Sequence, residues 1–265
     1  MRVSQARPIL LSLCFWLCGS AAAYDGDPIT NAVRDIGYLQ GAPSRMDDKP
    51  EVYLAGGLLV MGAVIYSLDG QIRHIAHKNK NSFMAHTSRQ AEKIGNSGYG
   101  LALLGGLAGA GWIIKDSKLT DTSIMALESF LAANAVGTVL KYSVGRARPY
   151  AGDGKRAFRP FSFKSSHTSF PSGHTTSAFA MASVFAARYE PVWVRAALYG
   201  GASIAALQRV YSEKHWASDV FSGAVLGTVT GYAVVRLSAG RAAKSARVIP
   251  VYGSGYTGVL ASVPF

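Results

Sequence analysis

The sequence predicts an all-α fold, a bundle of about six helices, on three observations. Apolar residues make up 49% of the 265-residue chain and charged residues only 16%, against about 25% charged in ordinary soluble domains. Such a chain has a large buried surface, a membrane around it, or both. The apolar residues gather in segments of helical length (52–68, 98–114, 122–142, 175–187, 192–208 and 217–235), and none alternates as a strand would. Glycines stand four apart at 105 and 109 and at 223 and 227, a small-residue spacing that lets helices approach closely.

In chain order, residues 1–23 read as a signal peptide. Arg2 and Arg7 precede the apolar run "ILLSLCFWLCGSAAA", and Ala21-Ala22-Ala23 fits a cleavage site that leaves Tyr24 first. An uncleaved anchor is the other reading. Cys14 and Cys18 both lie in this segment, so a processed chain has no disulfide, thiol nucleophile or cysteine metal site. Residues 24–51 are polar and turn-rich. A single helical domain is expected over 52–240. Within it, 69–97 reads as a basic loop carrying His74, His77 and His86, taken as solvated rather than as metal ligands or a lipid site. The helix 122–142 carries Glu128 and Asn134, and a loop rich in Gly, Pro, Ser and Arg fills 145–171. Residues 241–265 form a basic tail, and its end alternates around Gly253-Ser254-Gly255, which reads as a β-hairpin.

The net charge of +12 falls to +10 without Arg2 and Arg7. That balance suits nucleic acid, anionic lipid or a phosphorylated substrate, and export disfavours nucleic acid. The two cleanest apolar segments have about 17 residues, the lower limit for crossing a bilayer. The basic segment 69–97 on the inner side satisfies the positive-inside rule, but the basic tail then lies outside. The sequence therefore leaves two arrangements open, a membrane-spanning bundle and a periplasmic one with very apolar helices.

Three polar stretches stand at the mouths of apolar helices. In "RVYSEKHWASD", His215 and Asp219 are four apart and share a face on a helix. There Asp219 could accept from one ring nitrogen of His215 and leave the other as nucleophile or base; a surface ion pair is the bland alternative. In "PSGH", Ser172 opens a helix, Gly173 lets a ligand approach the backbone, and the helix N-terminus suits a phosphate oxygen. His174 beside it can transfer protons; an ordinary N-cap with an incidental histidine is the alternative. In "KYSVGRARP", Lys141 and Arg148 are seven apart, and Arg209 opens the "RVYSEKHWASD" stretch, upstream of His215. Lysine supplies a point charge and arginine a bidentate fork, while a basic helix end that caps its dipole is the plainer reading.

Lys141-x6-Arg148-Pro149, Pro171-Ser172-Gly173-His174 and Arg209-x5-His215-x3-Asp219 together resemble the type 2 phosphatidic acid phosphatase (PAP2) superfamily. That superfamily includes bacterial acid phosphatases, membrane lipid phosphatases and vanadium haloperoxidases. The resemblance covers about 120–236, and Gln208 departs from the serine often found before the arginine of the third motif. It implies the PAP2/haloperoxidase helical fold and an exported phosphatase, in the periplasm or in the inner membrane facing it, acting on phosphate monoesters or lipid (pyro)phosphates. Lys141, Arg148, Arg209, Ser172 and Gly173 would hold the phosphoryl oxygens, and His215 would form a phosphohistidine. Asp219 would orient His215, and His174 would serve the leaving oxygen and then the water. The resemblance implies no metal and no cofactor. The alternatives are a vanadium-dependent haloperoxidase and a non-catalytic binder of phosphate or lipid headgroups in the envelope. His167 is a further residue at the entrance. The partners expected are a phosphate ester or lipid phosphate and a membrane or its surface, with no nucleic acid.

Overall fold

The structure is a computed structural model that describes the backbone of residues 50–79, 96–245, 247–253 and 256–262, and side chains over 54–79 and 96–239. The expected signal peptide and His86 lie outside the described residues. Six α-helices are present among the described residues: α1 (Pro50–Lys78), α2 (Ser97–Ile113), α3 (Ser117–Val144), α4 (Gly173–Arg188), α5 (Val192–Tyr211) and α6 (Ala217–Ser245). The chain divides into two compact units. One is Asp48–Tyr232, and the other includes Ala233–Phe265.

The helix ends follow local chemistry. Pro50 opens α1, where its missing N–H costs nothing. Asn96 caps α2 by accepting from the Gly98 and Tyr99 amides, and Asp116 caps α3 by accepting from Leu119. α3 stops at Gly145, which is left-handed at φ +59° and donates its N–H to the Lys141 carbonyl. A methyl group on Gly145 would lie 1.8 Å from the Arg159 carbonyl oxygen. Gly145→Ala should therefore lose the roughly 1–2 kcal/mol of a left-handed non-glycine residue and also displace the loop, lowering the unfolding temperature by several degrees. An unchanged melting curve in detergent would show that the turn relaxes freely.

α4 is the central helix and packs against both α3 and α5, while α2 packs against α3. Its buried residues are almost all small (Ala178, Ala180, Ala182, Ala186, Ser177, Ser183), so neighbouring backbones come close. Asn134 ties α3 to α4 by donating to the Ser177 hydroxyl. Gly223, Gly227 and Gly231 of α6 lie against α4, where a Cβ would sit 2.7 Å from the Ser172 carbonyl, 2.4 Å from the Thr176 carbonyl and 2.7 Å from the Ser183 Cβ. The 223/227 spacing is thus a close helix contact. The 105/109 pair is not one, since a Cβ at either position would meet nothing within 4 Å.

Among the described residues three helices are long and apolar enough to cross a membrane: Leu54–Lys78, Ser117–Val144 and Ala217–Ala239. The 28 residues of α3 are about 42 Å long, more than a hydrocarbon core of about 30 Å. α1 exposes Leu54, Leu59, Val60, Met61 and Val64, the surface expected against lipid tails.

Two boundaries differ from expectation. The segment 69–78 is helix rather than loop, so His74 and His77 lie on α1. No proline interrupts this stretch, and its one acid, Asp69, is drawn into the protein interior. The tail begins later than 241, because α6 runs to Ser245. The hairpin forms from β1 (Arg247–Gly253) and β2 (Tyr256–Ser262), antiparallel with Arg247 opposite Ser262 and Gly253 opposite Tyr256.

Candidate active site

The three polar stretches meet at one end of the bundle, where α3 ends and α4 and α6 begin. The Ser172 amide donates to the Asp219 carbonyl (3.0 Å), the Trp216 indole N–H to the Ala147 carbonyl (2.8 Å), and the Ser169 amide to the Arg146 carbonyl (3.0 Å). The first two bonds each join two of the three motifs, and the third ties the residues just before "PSGH" to the first motif.

Ser172 precedes α4, but its side chain does not cap the helix. Its Oγ accepts from the Thr175 hydroxyl at 3.0 Å, so the first amides of α4 remain available as anion donors. This sets aside the ordinary-cap reading of "PSGH". A Cβ on Gly173 would meet nothing within 4 Å, so the backbone there faces open space. His174 stands half-buried in the first turn of α4.

The cations are fixed in place. Lys141 Nζ donates to the Thr168 and Pro171 carbonyls at 3.2 and 2.9 Å. Arg148 donates from Nη2 to the Thr168 carbonyl and hydroxyl at 3.3 and 3.2 Å, while its buried Nε has no hydrogen-bond partner. Burial, then the nearby Arg209, pushes the Arg148 guanidinium below its ordinary pKa against the opposing effect of Tyr150 and Asp219. Arg209 is buried, with Nη1 donating to the Gln208 side chain at 3.1 Å. Its carbonyl accepts from the Lys214 and His215 amides and so shapes the turn that carries His215.

His215 is buried, and its Nδ1 lies 2.6 Å from the Ser169 carbonyl oxygen. A carbonyl only accepts, so Nδ1 carries the hydrogen and the neutral ring keeps its lone pair on Nε2. Burial, reinforced by the charges of Arg148, Lys141 and Arg209, holds its pKa well below the ordinary histidine value. The ring therefore stays neutral, as a nucleophile must.

Asp219 does not hydrogen-bond to His215, which corrects the expectation drawn from their spacing. α6 begins at Ala217, so His215 precedes the helix and the i, i+4 geometry does not apply. Asp219 instead occupies the third helical position and accepts from the Trp216 amide at 2.9 Å, as in a capping box. It also accepts from the Ser169 hydroxyl and from Arg146 Nη1, both at 2.5 Å. Asp219 thus reaches His215 through Ser169, whose hydroxyl it holds and whose carbonyl holds the imidazole.

Sequence reasoning missed four residues here, namely Arg146, Asp69, Ser169 and Ser218. Arg146 is 1% exposed and lies between two buried carboxylates, with Nη2 2.7 Å from Asp69 and Nη1 on Asp219. It also donates to Ser218 Oγ (2.8 Å) and the Lys155 carbonyl, and its guanidinium lies over the rings of Tyr66, Trp216 and Phe158. Asp69 completes the cluster by accepting from the Ser218 amide and hydroxyl at 2.9 and 2.6 Å. One signal for Asp69 was available, since it is the lone charge within a long apolar stretch.

Lys141, Arg146, Arg148 and Arg209 face Asp69 and Asp219, which leaves an excess of two positive charges at the site. A phosphate monoester dianion would balance them. His167 is also buried, with Nδ1 3.0 Å from Ser166 Oγ and Nε2 3.5 Å from Asp153, a contact within the loop that follows the first motif.

Comparison with known proteins bears on the family and the fold. The PAP2 superfamily model matches residues 123–242. A lipid A 1-phosphatase of Porphyromonas gingivalis is 32% identical over 178 residues, covering 66% of this chain and 36% of that protein. One of Rhizobium johnstonii is 36% identical over 97 residues, covering 35% of this chain and 38% of that protein. The chain thus spans well under half the length of these relatives. The fold resembles the transmembrane PAP2 type phosphatidylglycerolphosphate phosphatase from Bacillus subtilis, with TM-score 0.57, 23% identity, and coverage of 71% of this chain and 96% of that one. It also resembles Aquifex aeolicus LpxE, with TM-score 0.50, 20% identity, and coverage of 63% and 93%.

Proposed function

Because the PAP2 superfamily model matches residues 123–242, we propose that the protein is a PAP2-type inner-membrane phosphatase that removes a phosphate monoester from a lipid headgroup on the periplasmic side. One observation carries the reading most directly. His215 is buried with its Nδ1 held by the Ser169 carbonyl, which leaves the lone pair on Nε2, and the charges of Arg148, Lys141 and Arg209 act on its ring. The resemblance to lipid A 1-phosphatases makes a glycolipid phosphate the first substrate to examine.

In the reaction, Lys141, Arg148, Arg209, Ser172 and the α4 amides from Gly173 onward hold the phosphoryl oxygens and take up charge that develops in the transition state. His215 Nε2 attacks phosphorus in line, an N–P bond forms, and the P–O bond to the lipid breaks. His174 gives its proton to the departing oxygen. Now neutral, His174 takes a proton from water as that water attacks phosphorus, the N–P bond breaks, and inorganic phosphate leaves. The imidazolium formed on His215 during the cycle has the Ser169 carbonyl and, through the Ser169 hydroxyl, Asp219 behind it.

The experiment is hydrolysis by the purified full chain in detergent. Lipid A, phosphatidylglycerophosphate, phosphatidic acid and para-nitrophenyl phosphate are compared, with and without chelator and vanadate. Release of phosphate from a lipid substrate in chelator, blocked by vanadate, is the expected result. Activity on the soluble ester alone would overturn the lipid assignment. Peroxide-dependent halide oxidation with vanadate would point to the haloperoxidase chemistry instead.

A further inference from the structure

The loop between the first two motifs bears a second pattern that the chemistry of the site does not use. Phe161 and Phe163 are 73% and 82% exposed, and Phe158 and Tyr150 are exposed beside them. Interleaved with these rings are Arg156, Arg159 and Lys164, all exposed, and none pairs with a carboxylate among the described residues. Asp153 is the only acid from Arg146 to Pro171.

The segment is held firmly. Arg159 N–H donates to the Gly145 carbonyl and Phe161 N–H to the Tyr142 carbonyl, each at 2.7 Å, and Ala147 N–H donates to the Ala157 carbonyl at 2.9 Å. Phe163 lies against Tyr142 with ring centroids 5.1 Å apart. Phe161 stands at φ +59°, a backbone conformation that a bulky residue rarely adopts. A bulky apolar side chain is therefore held outward in a strained position by the loop's own hydrogen bonds.

The place of the loop supplies the partner. It leaves the C-terminal end of α3, a helix long enough to cross a membrane. At the other end of the same helix level, Trp112 closes α2 and Trp193 opens α5, both largely exposed. Exposed aromatics at both ends of an apolar bundle match the belts that sit at the two membrane interfaces. At the site end Arg156, Arg159 and Lys164 stand against the single acid Asp153, whereas Lys115, Lys118 and Arg195 at the other end are interspersed with Asp116, Asp121 and Glu190, and the net-basic rim matches the attraction of an anionic headgroup layer.

We infer that residues 156–164 form an interfacial anchor, with Phe161 and Phe163 in the headgroup layer of an anionic bilayer and Arg156, Arg159 and Lys164 on its phosphates. The anchor holds the mouth of the site at the depth of a lipid phosphate, a consequence that rests on the lipid phosphatase reading above. The anchor itself does not require that reading, so the two can fail separately.

The test uses the full chain with Cys14→Ser and Cys18→Ser, carrying Phe161→Cys or Phe163→Cys labelled with an environment-sensitive fluorophore. The protein is reconstituted in vesicles of phosphatidylcholine alone or mixed with phosphatidylglycerol. Quenching by headgroup nitroxide lipids should exceed quenching by aqueous iodide, more so with phosphatidylglycerol and less so in high salt. Iodide reaching both labels as freely as it reaches the dye in solution overturns the anchor. In parallel, Phe161→Asn with Phe163→Ser should keep soluble-ester hydrolysis but lose about tenfold in kcat/KM on a lipid phosphate in anionic vesicles. Asparagine is chosen because it tolerates the left-handed backbone. Equal lipid activity in the double variant likewise overturns the anchor. A wild-type protein that hydrolyses neither substrate overturns the phosphatase reading and leaves the quenching result to decide the anchor.

Discussion

Replacing His215 by alanine is expected to lower kcat by about four orders of magnitude, with a folded protein left behind. On the proposed mechanism the nucleophile is lost, whereas the cations proposed to bind the substrate remain. The structural cost is about 1–3 kcal/mol for the buried Ser169 carbonyl left without its donor, with a further term for the space the ring vacates. His215→Gln, whose amide can still donate to Ser169, should be equally inactive and separates the lost lone pair from the lost hydrogen bond. Wild-type turnover in either variant rules out His215 as nucleophile. The pH dependence has a definite sign. The folded pKa of His215 lies below the ordinary value, so its lone pair persists as pH falls through about 6.5. Loss of activity near that pH must then come from another group. The unfolded chain does bind a proton below about 6.5, so the contribution of this residue to stability is present above that pH and declines beneath it. Calorimetry of wild type and His215→Gln between neutral and mildly acidic pH measures the difference.

Arg146→Met should be the most destabilising single change in the protein. It strands Asp69 and Asp219 in the interior without their shared cation, and breaking a buried ion pair in this way costs about 3–5 kcal/mol. Typical domains have only about 5–15 kcal/mol to lose. Arg146→Lys keeps the charge but cannot span both carboxylates with one planar fork, so it should fall between. Adding Asp69→Asn to Arg146→Met should restore part of the loss, since one stranded charge is gone. Thermal unfolding in detergent ranks the four proteins. A melting temperature of Arg146→Met equal to wild type would show that the cluster does not hold these segments together.

The sequence made much of this architecture legible. All six apolar segments became helices, because a long run of apolar residues without strand alternation has few other ways to pair its backbone. The motif residues could be named because each stands beside a helix end, where local chemistry is informative. Asp219 shows the limit of that reasoning. Its spacing from His215 implied a shared helical face, but the helix starts between them, and helix starts are the least certain feature of a sequence. Arg146 shows a different limit. Its partners are 77 and 73 residues away, and neither periodicity nor spacing carries information about pairs so distant. Ser169 was hidden for a third reason, since the group that holds His215 is its carbonyl, which every residue possesses.

The glycines of α6 that lie on α4 have a consequence for how such an enzyme can diversify. The turn bearing His215 leads directly into α6, and the proposed phosphate cradle is the start of α4. Where Gly223 and Gly227 touch α4, the contact is backbone on backbone, so no rotamers lie between the two walls. The separation of nucleophile and cradle is therefore a fixed gauge that side-chain exchange cannot widen or narrow by small steps. A single added methyl would prise the walls apart rather than tune them. New substrates must then be accommodated elsewhere, in the loop from Pro149 to Phe170 and on the outward face of α1. On the proposed reading, the reaction would stay constant while the lipid it acts on is free to change.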